Sequence, residues 1–338
     1  KALKHPPLEC VFTVQEEVGL CGALGLDTSI LKAKRMIGLD SETEGETCTS
    51  SSGGNDLTMV KQIIGEDNDS PVYVLEVKGL LGGHSGECID KARGNANKLA
   101  ARIMYHLLKE GIDIRLVEMT GGLKNNAIPR ECRVAFASSS SYDLICQLLD
   151  AYENDIRQEL ANSDPDFKLD IYEDECDVCI RFQDSEAIIS MMYLAINGLI
   201  EKSQVIPGLT TVSLNMGVVR TLDDCIQIEY SIRSPLQSIR QELSLQLELV
   251  ASLYDGYVEV SNDYPGWDYD PHSVLREQLK AFYHKQTGQA LREVATHGGL
   301  ETGVFKGKIP ELDIVTLGPN MADIHTPDER LELKSFYQ

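Results

Sequence analysis

The sequence is poor in basic residues and contains no long apolar run. It has 31 Lys and Arg against 53 Asp and Glu, which gives a net charge of −22. Because proteins bind nucleic acids largely through clustered Lys and Arg, this balance predicts no nucleic-acid partner. No apolar stretch reaches the roughly 20 residues that a membrane-spanning helix needs, so we also expect no membrane partner.

Paired cysteine motifs are scarce as well. The nine cysteines are odd in number and scattered, which is typical of reduced thiols and predicts a cytoplasmic protein. Only Cys176-Asp177-Val178-Cys179 has the C-x-x-C spacing, and it lacks the second pair that a structural zinc site needs. We interpret these two thiols as structural, with a redox role as the less favoured alternative. The H-E-x-x-H pattern is also missing, which excludes a thermolysin-like zinc site.

Strand and helix patterns alternate near the beginning of the chain. Strands are predicted over 8–13 and 35–39, with a helix over 18–31 between them. This succession is typical of a parallel-rich α/β sheet, which binds ligands at the carboxyl ends of its strands. The pattern resumes after 264, with a helix over 274–287 and a strand over 312–317.

The long segment between these two parts has a different pattern. Two successive β-α-β-β-α-β runs are predicted, the first from a strand over 72–78 and the second from a strand over 169–180. Such runs are typical of ferredoxin-like units. We therefore predict an α/β domain, 1–54 and 264–338, interrupted by an inserted α+β domain, 55–263, of two ferredoxin-like halves.

Acidic residues follow the first two predicted strands. Glu16 and Glu17 come after an apolar segment, and Asp40 follows the strand over 35–39. Adjacent carboxylates at a strand end point in different directions, so one can bind a metal while the other acts as general base on the metal's water. Glu-Glu pairs are also common on surfaces, and Asp40 lies in an acidic turn, so neither signal is specific alone.

A histidine near the end of the sequence suits a ligand set with these carboxylates. His325 is followed closely by Asp328 and Glu329, acids that could orient its ring. Two carboxylates and one imidazole suit zinc, with manganese or cobalt as substitutes. A structural histidine is the alternative.

Three residues of the inserted segment are candidates for catalysis or substrate contact. His84 lies in Gly82-Gly83-His84-Ser85-Gly86, where the glycines leave its ring accessible, although it could merely cap the following helix. Arg233 ends an alternating strand and could clamp a carboxylate, with a surface salt bridge as the alternative. Asn126 adds a polar side chain in Asn126-Ala127-Ile128-Pro129.

Taken together, these segments resemble the aminoacyl-histidine (Xaa-His) dipeptidases, within the two-zinc metallopeptidases that include carnosinases, bacterial dipeptidases and aminoacylases. The resemblance runs the length of the chain. It rests on the segments 13–19, 38–46, 80–86, 94–99, 126–131 and 213–219, on Tyr264-Pro265-Gly266-Trp267, on His297-Gly298-Gly299-Leu300-Glu301 and on the segment 325–329.

The resemblance implies a catalytic zinc-peptidase domain, an inserted lid or dimerisation domain, a dipeptide substrate and a homodimer. By position, Glu16 matches the general base. Glu17, Asp40 and His325 match ligands of two zinc ions per site, a zinc-bound water being the nucleophile.

The resemblance also implies roles for the residues of the inserted segment. His84 matches a lid histidine that polarises the scissile carbonyl. Arg233 and Asn126 match lid residues that hold the substrate, with Arg233 on its terminal carboxylate. The loop of Gly298 and Gly299 would lie against the substrate backbone.

One departure from the family pattern concerns the remaining metal ligands. Family members carry a His-x-Asp motif and a bridging Asp upstream of the Glu pair, and His5 here is followed by Pro-Pro. We therefore expect the first part of the catalytic domain to be missing, and this chain alone to be inactive. Two alternatives stay open: a degenerate homologue that binds peptides or dimerises, and an amidohydrolase acting on N-acyl amino acids.

Overall fold

A computed structural model describes residues 5–17, 19–324 and 326–337 of the chain. Its strands are β1 (Arg35–Gly38), β2 (Glu46–Ser51), β3 (Gly53–Gln62), β4 (Gly65–Asp67), β5 (Val72–Lys78), β6 (Gly83–His84), β7 (Arg115–Gly121), β8 (Ala127–Ile128), β9 (Cys132–Ala137), β10 (Lys168–Asp174), β11 (Val178–Ile180), β12 (Gly198–Lys202), β13 (Thr210–Thr221), β14 (Cys225–Ser234), β15 (Gly256–Tyr264), β16 (Arg292–Thr296), β17 (Asp313–Thr316), β18 (Met321–Ala322) and β19 (Arg330–Leu331). Its α-helices are α1 (Cys21–Gly25), α2 (Ser85–Cys88), α3 (Ala96–Lys109), α4 (Tyr142–Glu159), α5 (Phe182–Leu194), α6 (Gln237–Ser252), α7 (Val274–Thr287), α8 (Glu301–Lys308) and α9 (Leu333–Phe336). Within these ranges no helix is long and apolar enough to span a bilayer.

The largest element is an antiparallel sheet of nine strands. Eight of them lie in the order β10-β5-β9-β7-β13-β14-β3-β15, and β12 pairs with β13. Each group of four has the 4-1-3-2 strand order of a ferredoxin-like unit, and the two units meet where Val219 of β13 lies opposite Gly121 of β7. The predicted α+β domain of two ferredoxin-like halves is therefore confirmed.

The two halves are nested, so the prediction of two successive runs was wrong. Strand β10 completes the first half by pairing with β5, although the sequence pattern made the segment over 169–180 the start of the second. The first strand of the second half is β3, which precedes the whole first half and pairs with β14 and β15. Local alternation carries no information on such distant partners, because pairing is decided by tertiary packing.

Helices α3, α4, α5 and α6 cover one face of this sheet and form the larger core with it. Apolar residues at helical spacing in the sequence predict a helix over 89–108, but α3 begins at Ala96. The side chain of Asn95 caps it by accepting a hydrogen bond from the backbone N–H of Lys98. Ala92, which the prediction placed within the helix, has a left-handed φ of 54°, a conformation that ends helical geometry.

A second, smaller core lies outside the large sheet. It contains Trp267, Val304, Phe305, Leu312 and Ile314, among other residues. Two pairs of parallel strands border it, β1 with β17 and β16 with β2. Helix α7 coincides with its prediction. Parallel pairing of strands far apart in sequence is typical of α/β architecture and confirms the predicted fold class.

The predicted strand over 8–13 is absent from the described structure. Phe12 is 93% exposed, and no described strand pairs with this segment. The carboxylate of Glu9 holds it instead, by accepting hydrogen bonds from the backbone N–H groups of Lys32 and Ala33. An apolar segment becomes a strand only when a partner satisfies its backbone groups. The helix predicted over 18–31 is reduced to α1 and a short turn of 3₁₀ helix, Thr28–Ile30.

Candidate functional site

Two central strands of the large sheet carry polar residues on the face away from the helices. Ser213 of β13 lies opposite Arg233 of β14, while their neighbours Leu214 and Ile232 belong to the larger core. Since side chains alternate along a strand, Ser213, Asn215 and Arg233 share the opposite face. This face is where the sequence-predicted substrate residues come together.

Arg233 is buried without an acidic partner among the described residues. Its guanidinium donates one hydrogen bond, from Nη1 to the carbonyl of His297 at 3.3 Å. Its Nε has no partner in the described structure, and the side chain is only 7% exposed. The alternative of a surface salt bridge is therefore wrong. A buried charge with unfilled donors is costly unless an anion completes it.

His84 lies beside this guanidinium. A methyl group placed on Gly86 would be 3.0 Å from Cε1 of His84 and 3.5 Å from Cζ of Arg233. The two side chains thus flank the same glycine, which leaves room for both. His84 occupies the N-cap position of α2, but its side chain makes no cap hydrogen bond to that helix.

His297, which the sequence analysis did not single out as a site residue, joins this cluster. Nε2 lies 2.7 Å from Oγ of Ser213, and Nδ1 lies 3.4 Å from Oγ of Ser52. Burial lowers the pKa of His297 to about 3, and the charges of Arg233 and His84 add to the effect. The ring is therefore neutral at neutral pH. Its position before Gly298 and Gly299, directly after a strand, was the available signal.

The glycine loop is fastened to the same cluster. The backbone N–H of Ser52 donates to the carbonyl of Gly298 at 3.0 Å, and the N–H of Gly298 donates to Oγ1 of Thr296 at 3.0 Å. A methyl group on Gly299 would lie 2.7 Å from the ring of Tyr264. The loop therefore begins next to Arg233, which donates to the carbonyl of His297.

Asn126 is tied to His84 through the backbone. The backbone N–H of Ser85 donates to the carbonyl of Asn126 at 2.8 Å. The neighbouring residues Ala127 and His84 are register partners in the β6–β8 pair. The structure therefore brings together four of the predicted features: His84, Asn126, Arg233 and the glycine loop.

The acidic residues lie on segments that meet at the first turn of α8. Oγ1 of Thr13 donates to the carboxylate of Glu301 at 2.8 Å, and a methyl group on Gly38 would lie 2.8 Å from Cγ2 of Thr302. In the sequence, Glu16 and Glu17 come shortly after Thr13, and Asp40 comes two residues after Gly38. Since the glycine loop leads directly into α8, it connects these segments to the Arg233 cluster.

A complete metal centre does not result from the described residues. Within 5–17, 19–324 and 326–337, no three His, Cys, Asp or Glu side chains lie close enough to hold an ion. Glu16 is half-buried, while Glu17 and Asp40 are exposed. His325 lies outside the described residues. Glu17, Asp40 and His325 as metal ligands, and Glu16 as general base, therefore stay predictions.

All nine cysteines are free thiols. Cys176 lies two residues after β10 and Cys179 lies in β11. Both pack with Val72 and Ala137. Burial raises the pKa of the Cys179 thiol, which opposes thiolate chemistry. The interpretation of this pair as structural thiols fits these contacts.

Comparison with known proteins gives three findings. Residues 75–168 match the peptidase dimerisation domain of the M20 family. The chain is 33% identical, over 337 residues, to the cytosol non-specific dipeptidase of Escherichia coli strain K12, covering 98% of this chain and 69% of that protein. It is 34% identical to the crystal structure of the aminoacylhistidine dipeptidase from Vibrio alginolyticus, with a TM-score of 0.90, covering 96% of this chain and 66% of that one. The chain thus spans about two thirds of the length of each.

Proposed function

Because the chain belongs to the M20 peptidase family, together with the cytosol non-specific dipeptidase, we propose that the intact protein is a metal-dependent dipeptidase. The observation that carries this proposal is the buried guanidinium of Arg233, whose Nε has no described partner. A dipeptide presents a free carboxylate close to its only peptide bond. A fixed arginine fork is suited to that group.

Arg233 orients the substrate in this proposal. Its guanidinium binds the terminal carboxylate, and His84 lies on the other side of Gly86. With the carboxylate held at Arg233, the scissile carbonyl reaches His84, which stabilises the developing oxyanion. Asn126 holds the substrate from the neighbouring loop, and Gly298 and Gly299 lie against its backbone.

Glu16 moves the proton in this proposal. It takes a proton from the attacking water and returns it to the leaving amine. Glu17, Asp40 and His325 are the metal ligands, for two zinc ions per intact site or for manganese or cobalt in their place. Within the described residues, these ligands do not form a complete metal centre.

The organisation of the intact protein is part of the proposal. We assign 1–54 and 264–338 to the catalytic domain and 55–263 to a lid or dimerisation domain. Two separate apolar cores support this division. The match to a peptidase dimerisation domain supports a homodimer. We also propose a cytoplasmic location, because the relative of 33% identity is named a cytosol dipeptidase.

The proposal is tested with three substrates and the intact protein. They are a carnosine-like Xaa-His dipeptide, the same dipeptide with a C-terminal carboxamide, and an N-acyl amino acid. We expect hydrolysis of the first and a KM at least about tenfold higher for the carboxamide, because it lacks the charge that Arg233 binds. Arg233→Met should remove most of the difference between the first two, since it loses both the positive charge and the fork.

The alternatives give different results in the same experiment. Preferred hydrolysis of the N-acyl amino acid would make the protein an amidohydrolase. Binding of the dipeptide without hydrolysis, at any metal loading, would make it a peptide-binding module. Full activity of Glu16→Gln would show that Glu16 is not the general base.

A further inference from the structure

Asn215 holds the loop that carries Asn126. It lies on β13, two residues after Ser213, and is only 1% exposed. Its side-chain nitrogen donates to the carbonyls of Asn125 and Ala127, each at 2.8 Å. These are the two residues on either side of Asn126, so both amide hydrogens are used on one loop.

Asn95 fixes the orientation of the Asn215 side-chain amide. Nδ2 of Asn95 donates to Oδ1 of Asn215 at 3.2 Å and to the carbonyl of Met216 at 3.0 Å. Asn95 is itself anchored as the cap of α3. Because Oδ1 of Asn215 accepts this bond, its NH₂ group must face the loop.

The loop that carries Asn126 also approaches β13 closely at Gly217. Strand β13 has a bulge in its pairing with β14 between Met216 and Val218. A methyl group on the intervening Gly217 would lie 2.4 Å from Cα of Asn125. Only glycine admits the loop at this distance, so backbone contact and the Asn215 amide act on the same few residues.

The restraint on the loop extends to His84. The carbonyl of Asn126 accepts a hydrogen bond from the backbone N–H of Ser85, and Ala127 pairs with His84. A displacement of the loop would therefore move the backbone of both candidate residues at once. Among the described residues, Arg233 makes no hydrogen bond to this loop, and its guanidinium donates to the carbonyl of His297 instead.

We infer that Asn215 is a positioning residue for His84 and Asn126. Its NH₂ group donates to backbone carbonyls, and it sets where the backbone of the two residues lies relative to Arg233. The inference rests on the proposed dipeptidase function. An error of about 1 Å in the placement of catalytic groups can cost about 100-fold in rate.

The test compares Asn215→Ala with a matched control in the intact protein. Asn68→Ala is that control, because Nδ2 of Asn68 also donates to two carbonyls, those of Ser70 and Cys176, at 2.9 Å each. For Asn215→Ala we expect kcat to fall roughly 10- to 100-fold. The inhibition constant of a free amino acid product, held by Arg233, should stay within about threefold of the parent value. Asn68→Ala should leave both quantities near those of the parent.

Amide hydrogen exchange tests the inference independently of activity. In Asn215→Ala, the Ser85 and Ala127 amides should exchange at least about tenfold faster, while amides of α4 stay unchanged. Asn215→Asp, which keeps the shape but loses both donors, should behave in the same way and serves if the alanine variant does not fold.

The outcomes separate this inference from the proposed function. If the parent does not cleave dipeptides but the exchange rates change as expected, the function is wrong and the positioning role stands. If the exchange rates of Ser85 and Ala127 do not change, the positioning role is wrong whatever the activity. Equal losses of kcat in Asn215→Ala and Asn68→Ala would also overturn it.

Discussion

His297 and Ser213 join the two parts of the chain at the candidate site. The imidazole Nε2 lies 2.7 Å from the hydroxyl of Ser213, so the loop leading into α8 is fastened to the central strand of the large sheet. The carbonyl of His297 accepts the hydrogen bond from Arg233. One residue therefore aligns the glycine loop with the anion-binding side chain.

His297 should make the protein less stable in acid. Its folded pKa is about 3, below the value of about 6.5 for an exposed histidine. The unfolded chain therefore takes up a proton as the pH falls below about 6.5 while the folded protein does not. The stabilising contribution is present above that pH and is lost progressively towards pH 3.

The variant His297→Gln should reduce this loss. Between pH 7 and pH 5, urea unfolding of the parent should lose about 1 to 2 kcal/mol more than that of the variant, since one proton contributes at most about 1.4 kcal/mol per pH unit. The glutamine side chain can form polar contacts with Ser213 and Ser52, the two serines that His297 contacts. Identical pH dependence for parent and variant would mean that the buried imidazole is protonated in the folded state.

Gly86→Ala should lower activity without unfolding the protein. The added methyl group would lie 3.0 Å from Cε1 of His84, so the imidazole must shift, and 3.5 Å from Cζ of Arg233, which is an ordinary van der Waals contact. We expect kcat/KM of the intact enzyme to fall about 10- to 100-fold. Gly25→Ala is the matched control, because its methyl group meets no atom within 4 Å. Equal activity of both variants would contradict the placement of His84 beside Arg233.

Lys98 should be important for stability and not for catalysis. Its ammonium group donates to the carbonyls of Met192, at 2.8 Å, of Tyr193, at 2.6 Å, and of Ala195. These carbonyls lie at the end of α5, where helices leave such groups unsatisfied. Lys98→Met should lower the free energy of unfolding by about 2 to 4 kcal/mol.

The control for this variant comes from the same helix. Lys109 lies at the end of α3 with its ammonium 5.5 Å from the ring centre of Tyr105, and Lys109→Met should cost less than about 1 kcal/mol. Denaturant unfolding of both variants measures the difference. A similar cost for the two would mean that the three carbonyls are satisfied without Lys98.

Sequence patterns identified elements with strong local signals. Helix α7 and strand β5 were predicted within their observed bounds, because apolar periodicity and capping residues act over a few neighbouring positions. The segment over 8–13 has the same apolar character, yet it forms no strand in the described structure. Whether this segment forms a strand depends on a pairing partner, which the local sequence cannot specify.

The sequence likewise identified only some of the residues of the candidate site. Residue type and local context selected His84, Arg233 and Asn126, and the family resemblance added the glycine loop. Two of the motifs quoted for that resemblance contain Asn215 and His297, but they gave these residues no role. Their function appears only when β13 is paired and its polar face meets two loops distant in sequence.

The sequence by itself determined the family, the α/β and ferredoxin-like composition, and the residue types of the site. Each of these depends on short-range patterns or ordered motifs. Tertiary structure alone decided that the two sheet halves are nested and that Arg233 is buried without a described carboxylate partner. Burial and pairing depend on segments more than 100 residues apart, as with β3 and β14, and such contacts leave no periodic signal in the chain.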